Sequence, residues 1–340
     1  MNTTPRTVAA FAFAAFLAAC ASGPKKGEAP DWIDGESATY PATLYLTGHG
    51  MASDLENAKD RARADLAKTF EVAVLEKHSD IQRFEQTQGE SETHRQLTQE
   101  VSRNLLTQTN TTLRGAEIKD VWQDEQGQYH ALAIQSRSKT REQFSQEIDR
   151  LDHQAGQLIQ QAESTRDPLN KAALIDRAIV ALQPRLTYQR SLQVVEAAGV
   201  GKPEKYPVAE LSRARDEILT RIRVYPSTDG ASAAQLARIS SAAVANAGFA
   251  VGDQATADYR LLTTLQVDAP VQDKRWIWLR GTLETTLLDA HQQSVGVERW
   301  PLKVSSNHLD RAQQRLMDKV EETLNSELRA TLLGFSADQP

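Results

Sequence analysis

The chain contains a single cysteine, Cys20, in 340 residues. One cysteine cannot form a disulfide within the chain, and it cannot build the thiolate clusters that bind structural zinc. The folded part must therefore be stabilised by packing and hydrogen bonding. The hydrophobic share of 40% is somewhat low for a globular chain but is sufficient to form cores.

Long hydrophobic runs and basic blocks are also missing. No apolar run after residue 20 reaches the roughly 18 residues that argue for a membrane-spanning helix, so we expect no spanning segment there. The net charge is −6, and lysine and arginine form no block that would suit nucleic acid. We therefore expect no nucleic-acid partner.

The signatures of catalysis are absent as well. The seven histidines are scattered, with no pair at the spacing of metal ligands, and neither Gly-x-Ser-x-Gly nor His-Glu-x-x-His occurs. The protein is therefore predicted not to be an enzyme and to use no metal or cofactor. An enzyme or regulator acting on peptidoglycan stays open as the alternative, because two carboxylates distant in sequence leave no signature.

The N-terminal residues carry the strongest signal for location. A polar start with Arg6 precedes a short apolar run that ends in small residues. This pattern predicts a secretory signal peptide over residues 1–19. The end of the run resembles the lipobox of bacterial lipoproteins, on Leu17, Ala18, Ala19 and Cys20. The resemblance implies cleavage before Cys20, a thioether-linked lipid on its sulfur and an acylated amine, as in palmitate-bearing lipoproteins.

The alternative is a secreted protein cleaved near Ala19 or Ala21, in which Cys20 has no role. Residues 20–30 are small, polar and rich in glycine and proline, which predicts a flexible lipidated tether. By analogy with enteric lipoproteins, the absence of aspartate at position 21 points to the outer membrane. We therefore expect a lipid anchor in the outer membrane and a polypeptide that faces the periplasm.

Residues 31–137 are predicted to form a small α+β domain. A strand over residues 42–47 leads through a tight turn at residues 48–50, where glycine would supply positive φ or close packing. A helix follows from Asp54, capped by Ser53 and Glu56, with small residues at Ala58 and Ala62 that would let it lie close on a sheet.

The rest of this domain is predicted to hold an edge strand and loop over residues 79–95, a helix over residues 91–108 and two strands over residues 113–124 and 128–135. A turn at residues 124–127 joins the last two strands. On the final strand, alternation places His130, Leu132 and Ile134 on one face and Tyr129, Ala131 and Ala133 on the other. Trp32 is predicted to anchor the edge of the domain rather than to stack on a ligand.

Three short motifs in this domain resemble the Lpp-twenty family of bacterial lipoproteins. They are Pro30-Asp31-Trp32-Ile33, then Tyr45-Leu46-Thr47-Gly48-His49-Gly50-Met51-Ala52 before the alanine-spaced helix, and the closing strands with Trp122, Asp124, Gly127, Tyr129 and Ala131. The resemblance implies an envelope lipoprotein without established catalysis, and some members act in flagellar outer-membrane assembly. It implies no set of functional residues.

Residues 138–220 are predicted to form a helical connector. Apolar residues at helical spacing indicate a long helix, and Asp167-Pro168 is typical of the start of a second, kinked or interrupted at Pro184. We expect the two helices to pack on each other, with pairing to a partner's helices as the alternative. A further helix is predicted over residues 207–222.

Residues 221–340 are predicted to form an α/β sandwich of one mixed sheet with two helices, in the order β-α-β-β-β-α. The last helix is predicted over residues 308–333, capped by Asn307. The element order is similar to that of curli-secretion-type lipoproteins and penicillin-binding-protein activators. This similarity is an analogy of order alone.

One group in this domain suggests a binding surface. Trp276, Trp278 and Arg280 alternate with apolar residues along a predicted strand, so they share the face opposite the core. Tryptophan and arginine are enriched at interface hot spots, which favours a partner-binding role. The alternative is that helices cover both faces or that Arg280 stacks on the tryptophans. We therefore predict a non-catalytic scaffold or assembly factor that binds envelope or periplasmic proteins.

Overall fold

A computed structural model describes residues 28–35, 37–86, 116–229 and 233–337. The chain divides into two compact units, Met1–Glu76 with Leu106–Thr140 (the N-terminal unit) and Lys77–Leu105 with Arg141–Pro340 (the C-terminal unit). Both units combine helices with strands, so the predicted α+β class is confirmed.

The N-terminal unit contains a three-stranded antiparallel sheet in the order β1-β3-β2. A short 3-10 helix over Asp31–Asp34 precedes the sheet. The remaining elements are β1 (Tyr45–Ala52), α1 (Leu55–Gln86, of which residues 77–86 belong to the C-terminal unit), β2 (Glu117–Gln123) and β3 (Tyr129–Ser136).

Helix α1 lies directly on strand β1. A Cβ atom added to Gly48 would overlap the carbonyl of Ala62, and one added to Gly50 would overlap the carbonyl of Ala58. Ala58 and Ala62 are fully buried, as their spacing predicts. The predicted turn at residues 48–50 is wrong, because these residues belong to β1. The two glycines allow the backbones of β1 and α1 to approach closely and do not form a turn.

The start of α1 is one residue later than predicted. Asp54 caps the helix, since its carboxylate accepts a hydrogen bond of 2.9 Å from the N–H of Asn57, and Ser53 lies outside. The helix runs to Gln86, so the predicted edge strand is wrong over residues 79–86. The rest of that predicted strand and the predicted helix over residues 91–108 lie outside the described residues.

Strands β2 and β3 form the predicted hairpin. The N–H of Gly127 donates to the carbonyl of Asp124 at 3.1 Å, and the φ of Gly127 is +81°, which glycine adopts without strain. The predicted faces of β3 are confirmed. Ala131 and Ala133 pair with the two glycines of β1, whereas Leu132 packs on the opposite face.

Helices α2 (Arg137–Ser164, of which residues 141–164 belong to the C-terminal unit), α3 (Pro168–Val195) and α4 (Val208–Leu219) follow. The predicted packing of the first two is confirmed, because Ala155 of α2 packs with Ala178 and Leu182 of α3. Asp167 caps α3 as predicted, accepting from the N–H of Leu169 at 3.0 Å. Of the kink or interruption predicted at Pro184, the interruption does not occur, because α3 is continuous there; the kink stays a prediction.

The C-terminal unit also contains one mixed sheet. Its strands are β4 (Arg223–Asp229), β5 (Ala250–Val251), β6 (Tyr259–Val267), β7 (Val271–Asp273), β8 (Trp276–Asp289) and β9 (Ser294–Ser306). Strand β4 pairs in parallel with β5 and β6, and β8 pairs antiparallel with β6, β7 and β9. The predicted order of elements is confirmed, with β5 and β7 as short additions.

Helices α5 (Ala233–Asn246) and α6 (Leu309–Ala337) form one core with the sheet. The predicted apolar stripe of the last helix is confirmed, since Val320, Leu324 and Leu328 are buried in this core. The predicted cap at Asn307 is wrong by one residue, because α6 begins at Leu309 and the Asn307 side chain accepts from Ser306 instead. Residues of α3, including Leu169, lie in the same core.

Candidate functional site

Strand β8 has one face in the core and one face toward solvent. Leu279 and Leu283 are buried, whereas Trp276 is 43% exposed, Arg280 is exposed and Trp278 is half-buried. The predicted alternation is therefore confirmed, and the structure brings the three predicted site residues together on one open face. Their role in binding a partner stays a prediction.

Two residues beside this group are not predicted from the sequence to belong to it. Val271 of β7 pairs with Trp278, and Lys303 of β9 pairs with Arg280. The Nζ of Lys303 lies 4.6 Å from the centroid of the Trp278 ring, a cation–π contact that contributes about 0.5–1 kcal/mol at an exposed site. We call Val271, Trp276, Trp278, Arg280 and Lys303 the β8 patch.

Arg280 and Lys303 are the cations of the β8 patch. Within the described part of the chain, the side chains of Arg280 and Lys303 form no ion pair. Arg299, on the same face of β9, differs because its Nε lies 2.5 Å from a carboxylate oxygen of Glu284. The patch therefore presents two cations that form no ion pair among the described residues, in a chain whose net charge is −6.

A second cluster lies in the N-terminal unit, on the sheet face opposite α1. The rings of His49 and His130 are stacked with centroids 5.6 Å apart, and Trp32 packs edge-on against His49 at 5.3 Å. The ring of Trp122 lies 5.1 Å from His130. Because β1 and β3 pair antiparallel, they bring together two histidines that look scattered in the sequence. We call these four residues the histidine–tryptophan cluster.

Trp32 holds the segment before β1 against this face. It is 4% exposed, and its Nε1 donates a hydrogen bond of 3.2 Å to a carboxylate oxygen of Asp120. The predicted anchoring role of Trp32 is therefore confirmed. A cavity of about 430 Å³ lies beside it, lined in part by Tyr40, His49 and Asp65.

The electrostatics of the cluster favour neutral His49. Burial lowers the pKa of the His49 imidazole, and the positive charge of nearby His130 lowers it further, while Asp65 opposes the shift. The backbone N–H of His49 donates to Asp65 at 2.9 Å. The hydrogen bond from His130 Nε2 to Asp124, at 3.1 Å, lowers the pKa of the Asp124 carboxyl.

The lowered pKa of His49 predicts that acid destabilises the N-terminal unit. A histidine whose pKa is lower in the folded state stabilises the fold above its ordinary pKa of about 6.5, and this contribution is lost as the pH falls through the folded pKa. We expect β1 and β3 amides to lose protection from hydrogen exchange between neutral pH and about pH 5, after correction for intrinsic rates. In His49→Gln this loss should be smaller, and an equal loss in both proteins would contradict the assignment.

The predicted lipidation residue and lipobox, Cys20 with Leu17, Ala18 and Ala19, lie outside the described residues. Within the described ranges, no three histidine, aspartate or glutamate side chains are grouped so as to hold a metal ion. No helix in those ranges is both long enough and apolar enough to cross a membrane.

The N-terminal unit thus contains a strand with two buried glycines, an alanine-lined helix packed on it and a closing hairpin. Residues 30–134 match the LPP20 lipoprotein family. The resemblance predicted from the sequence is confirmed over this segment. The match supports a lipoprotein of the cell envelope that is anchored to a membrane.

Solved structures give distant likenesses. The secreted protein HP1454 of Helicobacter pylori is 15% identical over 87% of this chain and 99% of its own, with a TM-score of 0.43. A chain from Caulobacter crescentus described as a lipoprotein is 19% identical over 34% of this chain and 93% of its own, with a TM-score of 0.27. A minor lipoprotein of Acinetobacter baumannii is 12% identical over 32% of this chain and 92% of its own, also with a TM-score of 0.27.

At these TM-scores the likenesses carry no argument about function. No curated protein matches the chain in sequence. The similarity of the C-terminal element order to curli-secretion-type lipoproteins and penicillin-binding-protein activators stays a prediction.

Proposed function

We propose that the protein is an outer-membrane lipoprotein, facing the periplasm, that acts as a structural or assembly factor for envelope protein complexes. The observation that carries this proposal is the β8 patch, in which tryptophans and unpaired cations share an open sheet face. Large aromatic and arginine side chains are enriched at interface hot spots. A role in flagellar or secretion-related assembly would be a specific form of this function.

The predicted anchor suits such a role. Residues 20–30 span at most about 40 Å when fully extended, so lipid on Cys20 would keep the folded chain close to the membrane. A tether as flexible as its glycine and proline content predicts would leave the orientation of the chain free. The anchored chain could therefore turn the β8 patch toward a periplasmic or membrane-bound protein.

Replacing both tryptophans is expected to release the partner. In Trp276→Ala with Trp278→Ala, partners captured by crosslinking in cells should fall more than tenfold, since hot-spot truncation costs about 2 kcal/mol or more. The melting temperature should change little, because neither side chain belongs to the buried core. The measurement is quantitative mass spectrometry of crosslinked complexes.

Val180→Ala is the matched control, because Val180 is an exposed apolar residue on α3 outside the patch. It should leave the complexes unchanged. Full retention of partners in the double variant, or its failure to fold, would contradict the proposal. Release of muropeptides from cell wall by the purified chain would replace the proposal with the enzymatic alternative.

A further inference from the structure

We infer that the β8 patch binds an acidic segment of a partner protein. This inference rests on the proposed function, since it takes the patch to be a protein-binding surface, and it specifies the chemistry of the partner. The patch joins an exposed Trp276 and a half-buried Trp278 to the cations Arg280 and Lys303.

Charge complementarity points to an acidic partner. Lys274 and Arg275, in the turn between β7 and β8, are also exposed and without an ion pair in the described part of the chain. Two carboxylates adjoin the patch, Asp273 opposite Trp276 on β7 and Asp268, whose backbone N–H donates to the carbonyl of Arg280 at 2.9 Å; in the described part of the chain neither forms an ion pair with Arg280 or Lys303. Carboxylates of a partner would meet Arg280 and Lys303 without first displacing an internal acid.

The polar residues around the patch favour a polypeptide over a lipid surface. Gln266 pairs with Thr282, and Ser305 pairs with Trp278, so these side chains share the open face with the tryptophans. A polypeptide can satisfy their hydrogen bonds, whereas hydrocarbon would bury them without partners at a free-energy cost. The tryptophans then supply apolar contact and the cations supply orientation.

The probe is a fluorescein-labelled short peptide of alternating glutamate and leucine, with a glutamine–leucine peptide for comparison. Binding to the mature full-length chain is measured by fluorescence anisotropy. We expect the glutamate peptide to bind more tightly, and its affinity to fall with added salt because exposed charges are screened. In Arg280→Gln with Lys303→Gln, the Kd should rise about tenfold.

The matched control is Arg299→Gln with Arg150→Gln, which makes the same change in net charge. Both of these arginines are already ion-paired, to Glu284 and Glu147 respectively. The control should bind the glutamate peptide within about twofold of the parent chain. An equal loss of affinity in the control would overturn the inference, because it would show a response to net charge alone.

Binding of the glutamine peptide as tight as that of the glutamate peptide would also overturn the inference. So would binding to phosphatidylglycerol vesicles through Arg280 and Lys303 without binding to the glutamate peptide. If the acidic peptide fails while the double tryptophan variant still loses its partners in cells, the acidic chemistry is wrong and the proposed function stands. If that variant keeps its partners, the proposed function itself falls.

Discussion

Replacing Gly50 by valine is expected to destabilise the N-terminal unit by about 3 kcal/mol or more. A side chain at this position would overlap the backbone of α1 at Ala58 and Ala62. A flexible side chain can move aside to relieve a clash. The backbone of a helix cannot, because it moves only together with all the side chains that the helix packs on the sheet. The effect is large compared with the 5–15 kcal/mol of stability that is usual for a domain.

Hydrogen exchange measures this effect within the intact chain. Amides of β3, the central strand of the sheet, should exchange about a hundredfold faster in Gly50→Val than in the parent chain. Gly334→Ala is the control, because the added methyl group meets nothing within 4 Å beyond the adjacent backbone of its own helix, and a helix gains about 0.5–1 kcal/mol from this change. Unaltered exchange in β3 of Gly50→Val would show that the strand and helix do not pack as described.

Replacing Cys20 by alanine is expected to move nearly all of the protein from the membrane fraction to the soluble periplasmic fraction. Each lipid CH₂ group buried in the bilayer contributes about 0.8 kcal/mol, so the loss of the lipid removes the main source of membrane affinity. Incorporation of labelled palmitate should disappear in the same variant. Cell fractionation and lipid labelling measure the two effects together.

Ser22→Ala is the control for the cysteine variant, because Ser22 lies two residues after the lipobox. It should keep both the label and the membrane location. A Cys20→Ala protein that stays in the membrane fraction would contradict a lipid anchor at this residue.

Local periodicity predicts much of the C-terminal unit. Alternation along β8 separates Leu279 and Leu283 from Trp276 and Arg280, and the structure has the same two faces. The apolar stripe of α6 is equally readable. Both patterns depend on residues close together in the sequence, where the geometry of a strand or helix fixes which side chains share a face.

Contacts between distant segments are harder to predict. Glycine at positions 48 and 50 is typical of a turn, yet the structure uses both for contact with α1. The stacked pair of His49 and His130 depends on the register between β1 and β3, which the sequence does not reveal. No metal spacing or catalytic motif marks this pair.

Lys303 shows how a single irregularity changes a site. Leu288 pairs with Ser294, and regular pairing from there would place Arg280 opposite Leu302. A register shift between Leu287 and Leu288, typical of a β-bulge, places Lys303 there instead. Since a shift of one residue reverses the face of every side chain, counting from the turn would have put Lys303 in the core.

Photocrosslinking in living cells tests the central claim most directly, which is that the anchored chain holds envelope proteins through the β8 patch. Trp276 is replaced by the photoreactive residue benzoylphenylalanine, and Val180 is replaced likewise as the control site. We predict a discrete adduct with an envelope protein from position 276, none from position 180, and a strongly reduced adduct when Arg280→Gln and Lys303→Gln are added. The absence of any adduct at position 276, or an equal adduct at position 180, would contradict the account.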